Sequence, residues 1–458
     1  MSPLDRKNEL RPINEDYRRR INASKDNNAQ PKKVAIDFRN ELSANVVRPI
    51  YQIPSELIRF RKNNGRIASD VLTYESVHGE IDEATDAGQD QIGVFLDDKH
   101  SGDDNILYDS LKHVGQRDPA IITCDGFLIN GNRRKMTLDK LSSKHKNKAR
   151  FKFLRAVILP GPGDPGGPPT LLEIEQVENR LQLMKSGKAE YKGFDHALSI
   201  RRKKDIGMSL EEQVRDDPAH HAKKSVKRQI EKLKKDFLKP LECIERYLLH
   251  FDRSSSYNLV ANRWQAFLDY SNFYNYTLKV DKKRIDYFDG KVGEEDIPTV
   301  EDIAFKMIRK GTFRKDATKD KLHVLMRDLK NIFKDDDSRE TIKKIADDDI
   351  IPHDLTKEEI DELEDKNSLR ERDRAWQIKT DQKFTELIRT AQLYSDQNKE
   401  NLNPLMHIKA IISKLDKIQF SDKLEVLEAK EYYKEFRKAS NKLDDLMNDL
   451  DGMRQERD

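Results

Sequence analysis

Gly131, Asn132, Arg133 and Arg134 stand where a strand-like run, Phe127-Leu128-Ile129-Asn130, gives way to a helical pattern. A glycine at a strand-to-helix junction lets the backbone come close to an anion, and the first-turn amides and the helix dipole favour negative charge there. Two consecutive arginines add donors that grip phosphate oxygens in pairs. The chemistry this points to is the holding of a phosphate. The same four residues also read as an ordinary turn carrying two solvated arginines. A second basic run, Lys140 to Arg155, holds Lys144, Lys146, Lys148, Arg150 and Lys152 with no acid among them. It reads either as a phosphate-binding surface or as a solvated loop.

The elements that must position the junction are legible around it. Asn105 to Val114 is amphipathic at helical spacing and stops at Gly115. Pro119 to Thr123 reads as a strand, Asp125-Gly126 as a tight hairpin turn and Phe127 to Asn130 as the returning strand. A helix is expected from Lys135 to Leu141 and another strand from Phe151 to Leu159, followed by the loop PGPGDPGGPP. Upstream, Ala44 to Ile53 is a β-branched stretch closed by Pro54. From Leu171 onward the patterns are helical, with capping boxes at Ser209-Glu212 and Thr356-Glu359. Trp264, Phe267 and Tyr270 recur at helical spacing, as core aromatics do. Tyr432, Phe436, Ala439, Leu443, Leu446 and Leu450 form an apolar seam, which fits a coiled coil and a bundle helix equally.

Composition excludes several classes. Of 458 residues, 37% are charged and 36% hydrophobic, which favours solvated helices and linkers over one large α/β enzyme core. No apolar run approaches the ~20 residues of a membrane span. The opening MSPLDRKNEL lacks the apolar core of a signal peptide, so a cytoplasmic chain with no membrane partner is expected. Lys and Arg number 86 against 83 Asp and Glu, a net +3, so any attraction to nucleic acid must come from local patches. Cys124 and Cys243 supply neither a disulfide framework nor a structural zinc site, and Cys124 reads as a small buried apolar residue. His220 and His221 read as exposed, not as metal ligands. The expected architecture is α+β: a flexible arm (1–43), an α+β domain (44–205) and an extended all-helical half. The helical half divides into 206–250, 251–335 and a helical or coiled-coil region at 336–458.

The stretch GQRDPAIITCDGFLINGNRRKMTLDKL (115–141) resembles the N-terminal domain of the ParB/sulfiredoxin-like superfamily. There a Gly-Gln pair precedes a strand, a hairpin follows, and a Gly-Glu-Arg-Arg box opens a helix. Asn132 stands at the glutamate of that box. Tyr51-Gln52-Ile53-Pro54 and Asn63-Asn64-Gly65-Arg66 resemble the family's first strand and first box, and Glu178-Asn179-Arg180 its third. The resemblance covers about residues 46 to 205. It implies binding of a nucleoside triphosphate, CTP or ATP, with magnesium. Gly131, Asn132, Arg133 and Arg134 would cradle the phosphates, with Arg66 and Gln116 assisting. Glu178 and Asn179 would serve the metal, and Glu178 the attacking water; phosphoryl transfer needs charge neutralisation, a metal and an oriented water. Partitioning relatives add a helix-turn-helix. Gly207 to Val214 resembles its opening, and Lys223 to Leu233 its recognition helix, with Lys223, Lys224, Lys227 and Arg228 facing double-stranded DNA. A solvated basic helix gives the same pattern.

The expectation is therefore a nucleotide-binding, DNA-associated protein of a partition, mobile-element or phage-defence setting. It would self-associate, or take a protein partner, through its helical C-terminal half. The alternatives are an ATP-dependent or nuclease enzyme of the same superfamily and a catalytically inactive scaffold. A sulfiredoxin-like reductase is disfavoured, because Cys124 lies in the hairpin and not beside the phosphate-binding glycine.

Overall fold

Strands form where β-branched residues alternate between two faces. The computed structural model describes residues 8–25, 31–39, 41, 46–98, 103–145, 148–183, 193–216, 223–311, 321–365, 367–401, 433–445 and 447. Within them a five-stranded mixed sheet runs in the order β1-β2-β5-β3-β4. The strands are β1 (Lys33–Ala35), β2 (Val47–Pro54), β3 (Ala120–Ile122), β4 (Leu128–Asn130) and β5 (Phe153–Ile158). β2 is antiparallel to β1 and β5, β3 is parallel to β5, and β3 and β4 form the expected hairpin. Gly126 turns that hairpin at φ +87°, a left-handed conformation that glycine adopts without penalty. Ile122, Leu128, Ala156 and Ile158 face one core, and Ile121, Ile129 and Val157 face the other.

In the α+β part the helices are α1 (Glu15–Lys25), α2 (Ala68–His78), α3 (Asp86–Asp98), α4 (Asp103–His113), α5 (Asn132–Lys144) and α6 (Leu171–Leu183). Ile92, Phe95 and Leu96 of α3, Leu111 of α4 and Met136, Leu138 and Leu141 of α5 cover the first face. Ile174 and Val177 of α6, with Phe38, cover the second. Cys124 is buried, as expected, and burial beside Asp125 pushes its thiol up to about 11.

The expected flexible arm is instead folded over its described residues. Asp125 in the hairpin is fully buried, and a buried carboxylate needs partners. Arg11 donates to it at 2.8 Å, and the backbone N–H of Asn14 at 3.0 Å. Arg11 also lies 3.8 Å over the Phe127 ring, and Ile21 of α1 is fully buried. β1 adds an edge to the sheet beyond β2.

The helical part comprises α7 (Gly193–Asp205), α8 (Leu210–Arg215), α9 (Lys223–Leu233), α10 (Lys239–His250), α11 (Trp264–Phe273), α12 (Asp281–Phe288), α13 (Ile297–Lys310), α14 (Leu322–Lys334), α15 (Asp336–Lys343), α16 (Lys357–Asp361) and α17 (Leu369–Asn401). Both expected capping boxes are present, at the starts of α8 and α16. One apolar core joins Phe194 to Ala391 and includes Phe267 and Tyr270, with Trp264 packed against it. That core starts before residue 205 and crosses 335, because Phe194, Ala197 and Leu198 of α7, like Trp376 and Phe384 of α17, interlock with the intervening helices. Arg309 is fully buried at its centre. It donates to Asp373 at 2.9 Å and Asp354 at 2.7 Å, and lies 4.4 Å over the Trp376 ring. Residues Met1–Gln392 make one compact unit and Leu393–Asp458 a second. In the second, residues 433–445 are helical, and Tyr433, Phe436, Leu443 and Met447 are exposed; Tyr432, Leu446 and Leu450 of the expected seam lie outside the described residues. Among the described residues no helix is long and apolar enough to cross a membrane.

His196 of α7 yields a pH prediction. Its ring packs 4.5 Å from that of Phe237, and burial, with Lys203 adding to it, lowers its pKa to about 4. The unfolded chain has the ordinary value near 6.5. With the folded pKa depressed, the stabilisation is fully present above pH ~6.5 and lost as pH falls to about 4, a change on the order of 3 kcal/mol. Urea unfolding at pH 7 and pH 4.5 should therefore show a shallower pH dependence for His196→Gln than for the natural chain. Equal dependence in both would refute this assignment.

Candidate functional site

At the expected phosphate junction, β4 ends at Asn130, Gly131 turns at φ +116° and α5 opens at Asn132. A side chain at Gly131 would place its Cβ 2.8 Å from Cβ of Ala120, so close packing against β3 demands glycine here. No side chain caps the first turn of α5, and that turn contains no acid. It carries Arg133, Arg134 and Lys135 against the positive end of the helix dipole, an arrangement that an anion relieves. Asn132 Oδ1 is buried with no hydrogen-bond partner among the described residues.

The remaining expected residues fall into different roles. The Arg134 guanidinium turns back to the segment before β3, donating to Pro119 O at 2.9 Å, Asn130 Oδ1 at 2.8 Å and Asp118 O. Burial lowers its pKa, against the raising influence of Asp118. Gln116 splints the same segment to β5: Nε2 donates to Arg155 O at 2.7 Å, and Oε1 accepts from Arg155 N at 2.8 Å. These two side chains therefore hold the junction in place. Lys135 is also held locally, donating to Asp139 at 2.7 Å beside the Phe60 ring. Arg133 is half-buried at the helix start. The backbone N–H of Arg66 donates to Asn64 Oδ1 at 3.0 Å, while Asn64 Nδ2 is buried without a partner among the described residues.

Glu178 and Asn179 meet the 61–66 loop in a buried ionic cluster. Glu175, Glu178 and Asn179 share one face of α6 through their three- and four-residue spacing. Arg61 donates to Glu178 at 2.6 Å and to Glu175 at 3.3 Å, and Glu178 Oε1 accepts from Gly65 N at 3.4 Å. Arg202 of α7 donates to Glu175 at 2.7 Å and to Asn63 O at 2.6 Å. Asn179 Oδ1 accepts from Lys203 Nζ at 2.9 Å, and its Nδ2 donates to Asp216 at 2.9 Å. Burial lowers the Lys203 pKa although Glu178 and Glu175 oppose it, and burial raises that of Asp216 against Asn179 and Arg180. Both Glu178 oxygens thus have protein donors. A divalent ion would have to displace a buried arginine, so this arrangement does not fit a metal on Glu178 and Asn179. Sequence reasoning missed Arg61, Glu175, Arg202 and Lys203; the available signal was the pair of glutamates three apart on a helix that also carries an apolar face.

The expected recognition helix is α9. Val226 is buried and Ile230 and Leu233 half-buried, while Lys227 and Arg228 are exposed. The side chains of Lys223 and Lys224, and both His220 and His221, lie outside the described residues. α9 runs through a π-helical turn, Lys234–Leu238, into α10, whose Leu241, Ile244 and Tyr247 are core residues. Compared with known proteins, the chain matches no family model, no curated protein and no solved structure.

Proposed function

We propose that the chain is a ParB-like nucleotide-binding, DNA-associated protein of the cytoplasm. The first turn of α5 receives the phosphates of CTP or ATP, carried as the magnesium complex. The observation that carries this reading is the uncapped, acid-free and basic start of α5 behind Gly131. Asn132 Oδ1, without a partner among the described residues, supports it, as an acceptor for a hydroxyl or amine of the same ligand. Gly131, Asn132 and Arg133 make the contact, and Arg134 and Gln116 are positioning residues. The exposed Lys227 and Arg228 of α9 supply phosphate contacts to double-stranded DNA. The exposed apolar side chains at 433–447 supply the surface for self-association or a protein partner.

Equilibrium binding of CTP, ATP and GTP with magnesium, with and without double-stranded DNA, tests this. Selective binding weakened at least tenfold by Arg133→Ala is expected. No binding of any nucleotide by the folded protein would sink the reading. It would leave an inactive scaffold, which the engagement of Arg134, Gln116 and Glu178 by the protein itself favours as the second reading. Multiple turnovers of ATP, or cleavage of DNA, by the folded natural chain would instead identify an ATP-dependent or nuclease enzyme.

A further inference from the structure

We propose that His250, Asp302 and His353 form a binding site for one divalent transition-metal ion of the zinc class. The three residues come from three separate elements: the end of α10, α13 and the loop before α16. Each offers one ligand atom, and the three atoms all lie within 4.8 Å of one another. A tetrahedral ion with bonds of about 2.0–2.2 Å holds its ligand atoms roughly 3.4 Å apart, so binding draws the three side chains together by on the order of 1 Å.

The surroundings orient these ligands. His250 Nε2 lies 2.9 Å from Asp302 Oδ1, in a hydrogen bond that a metal ion bound by both atoms would replace. The buried Lys306 lies 3.4 Å from the other Asp302 oxygen and is itself anchored by Ile351 O at 2.9 Å and Asp348 at 2.7 Å. It fixes the carboxylate, as outer-shell partners of metal ligands do. The His250 ring packs against Phe251 and Phe305, and the His353 ring stacks on Phe251 at 4.9 Å. His353 Nε2 donates to the carbonyl of His250 at 3.0 Å, holding the two histidines together. Two imidazoles and one carboxylate select zinc and its neighbours over magnesium or calcium, which take oxygen ligands. All three residues are half-buried, so none is sealed from solvent. The site lies in the helical core and is independent of the nucleotide reading at α5.

The test uses the full chain, stripped with a chelator and titrated with zinc against a chromogenic competitor. One equivalent should bind, with excess magnesium failing to displace it. His353→Gln, a substitution on a half-exposed loop position, and Asp302→Asn should each weaken it at least tenfold. Cobalt(II) should give a visible absorption band that His353→Gln removes. Absence of one-equivalent binding overturns the site. So does binding that survives His353→Gln in a protein folded by circular dichroism, or that is lost only on replacing His220 and His221. Should Asp302→Asn fail to fold, His353→Gln alone decides.

Discussion

Replacing Arg309 by alanine is expected to lower the stability of the 1–392 unit by about 3–5 kcal/mol, the cost of leaving buried carboxylates without their partner. Arg309 is fully buried and divides its donors among Asp373, Asp354 and the carbonyl of His353. Its guanidinium carbon lies 4.4 Å from the centre of the Trp376 ring and 4.9 Å from that of Phe251. Alanine removes the charge, the stacking and the volume together. Arg253 also pairs with Asp373, so one cation remains near that carboxylate and the loss stays below that of an isolated ion. In urea the unfolding midpoint should move by on the order of 1 M. The double variant with Asp373→Ala should lose less than the sum of the two singles, because the second change removes the stranded charge. A shift under 1 kcal/mol for Arg309→Ala would show that this network does not organise the helical core.

Gly131→Ala is expected to cost roughly 2–5 kcal/mol, from left-handed backbone strain plus overpacking. The overpacking is specific: the new methyl would meet Ala120 Cβ at 2.8 Å, and Ala120 is fully buried in the sheet. Gly163 supplies the control. It too has a left-handed φ, +87°, but nothing lies within 4 Å of its would-be Cβ. Gly163→Ala should therefore cost only the backbone part, about 1–2 kcal/mol. Chemical unfolding of the two variants compares these directly, and equal losses would contradict the packing argument. Gly131→Ala should also weaken any ligand of the α5 turn, because that turn is positioned by the contact between Gly131 and β3. Gly163→Ala should leave ligand binding unchanged.

The ionic cluster around Glu178 has a consequence for how the two parts of the 1–392 unit cohere. Arg61 precedes α2, Glu175 and Glu178 lie on α6, and Arg202 and Lys203 lie on α7, whose apolar side belongs to the helical core. The α+β part and the helical part therefore share buried charges as well as apolar contacts. A ligand or substitution that displaces Arg61 from Glu178 disturbs both.

What the sequence by itself determined was local. The Asp125-Gly126 hairpin, the helix opening after Gly131, the two capping boxes, the burial of Cys124 and the core placement of Phe267 and Tyr270 each follow from a few neighbouring residues. Turn chemistry, side-chain caps and the two- or 3.6-residue period act over that range. Tertiary structure alone decided which polar side chains are spent on the fold. Arg134 reads as a phosphate donor in the sequence, yet it reaches the carbonyls of Asp118 and Pro119, because the parallel pairing of β3 with β5 brings that segment beneath it. Arg11 reads as part of a charged arm until Asp125, 114 residues away, requires a partner in the core. Glu178 finds Arg61 at a separation of 117 residues. Such pairs leave no periodic trace in a sequence: a buried charge is satisfied by whichever donor the packing of distant elements delivers, and the geometry of that packing is set only when the whole core closes.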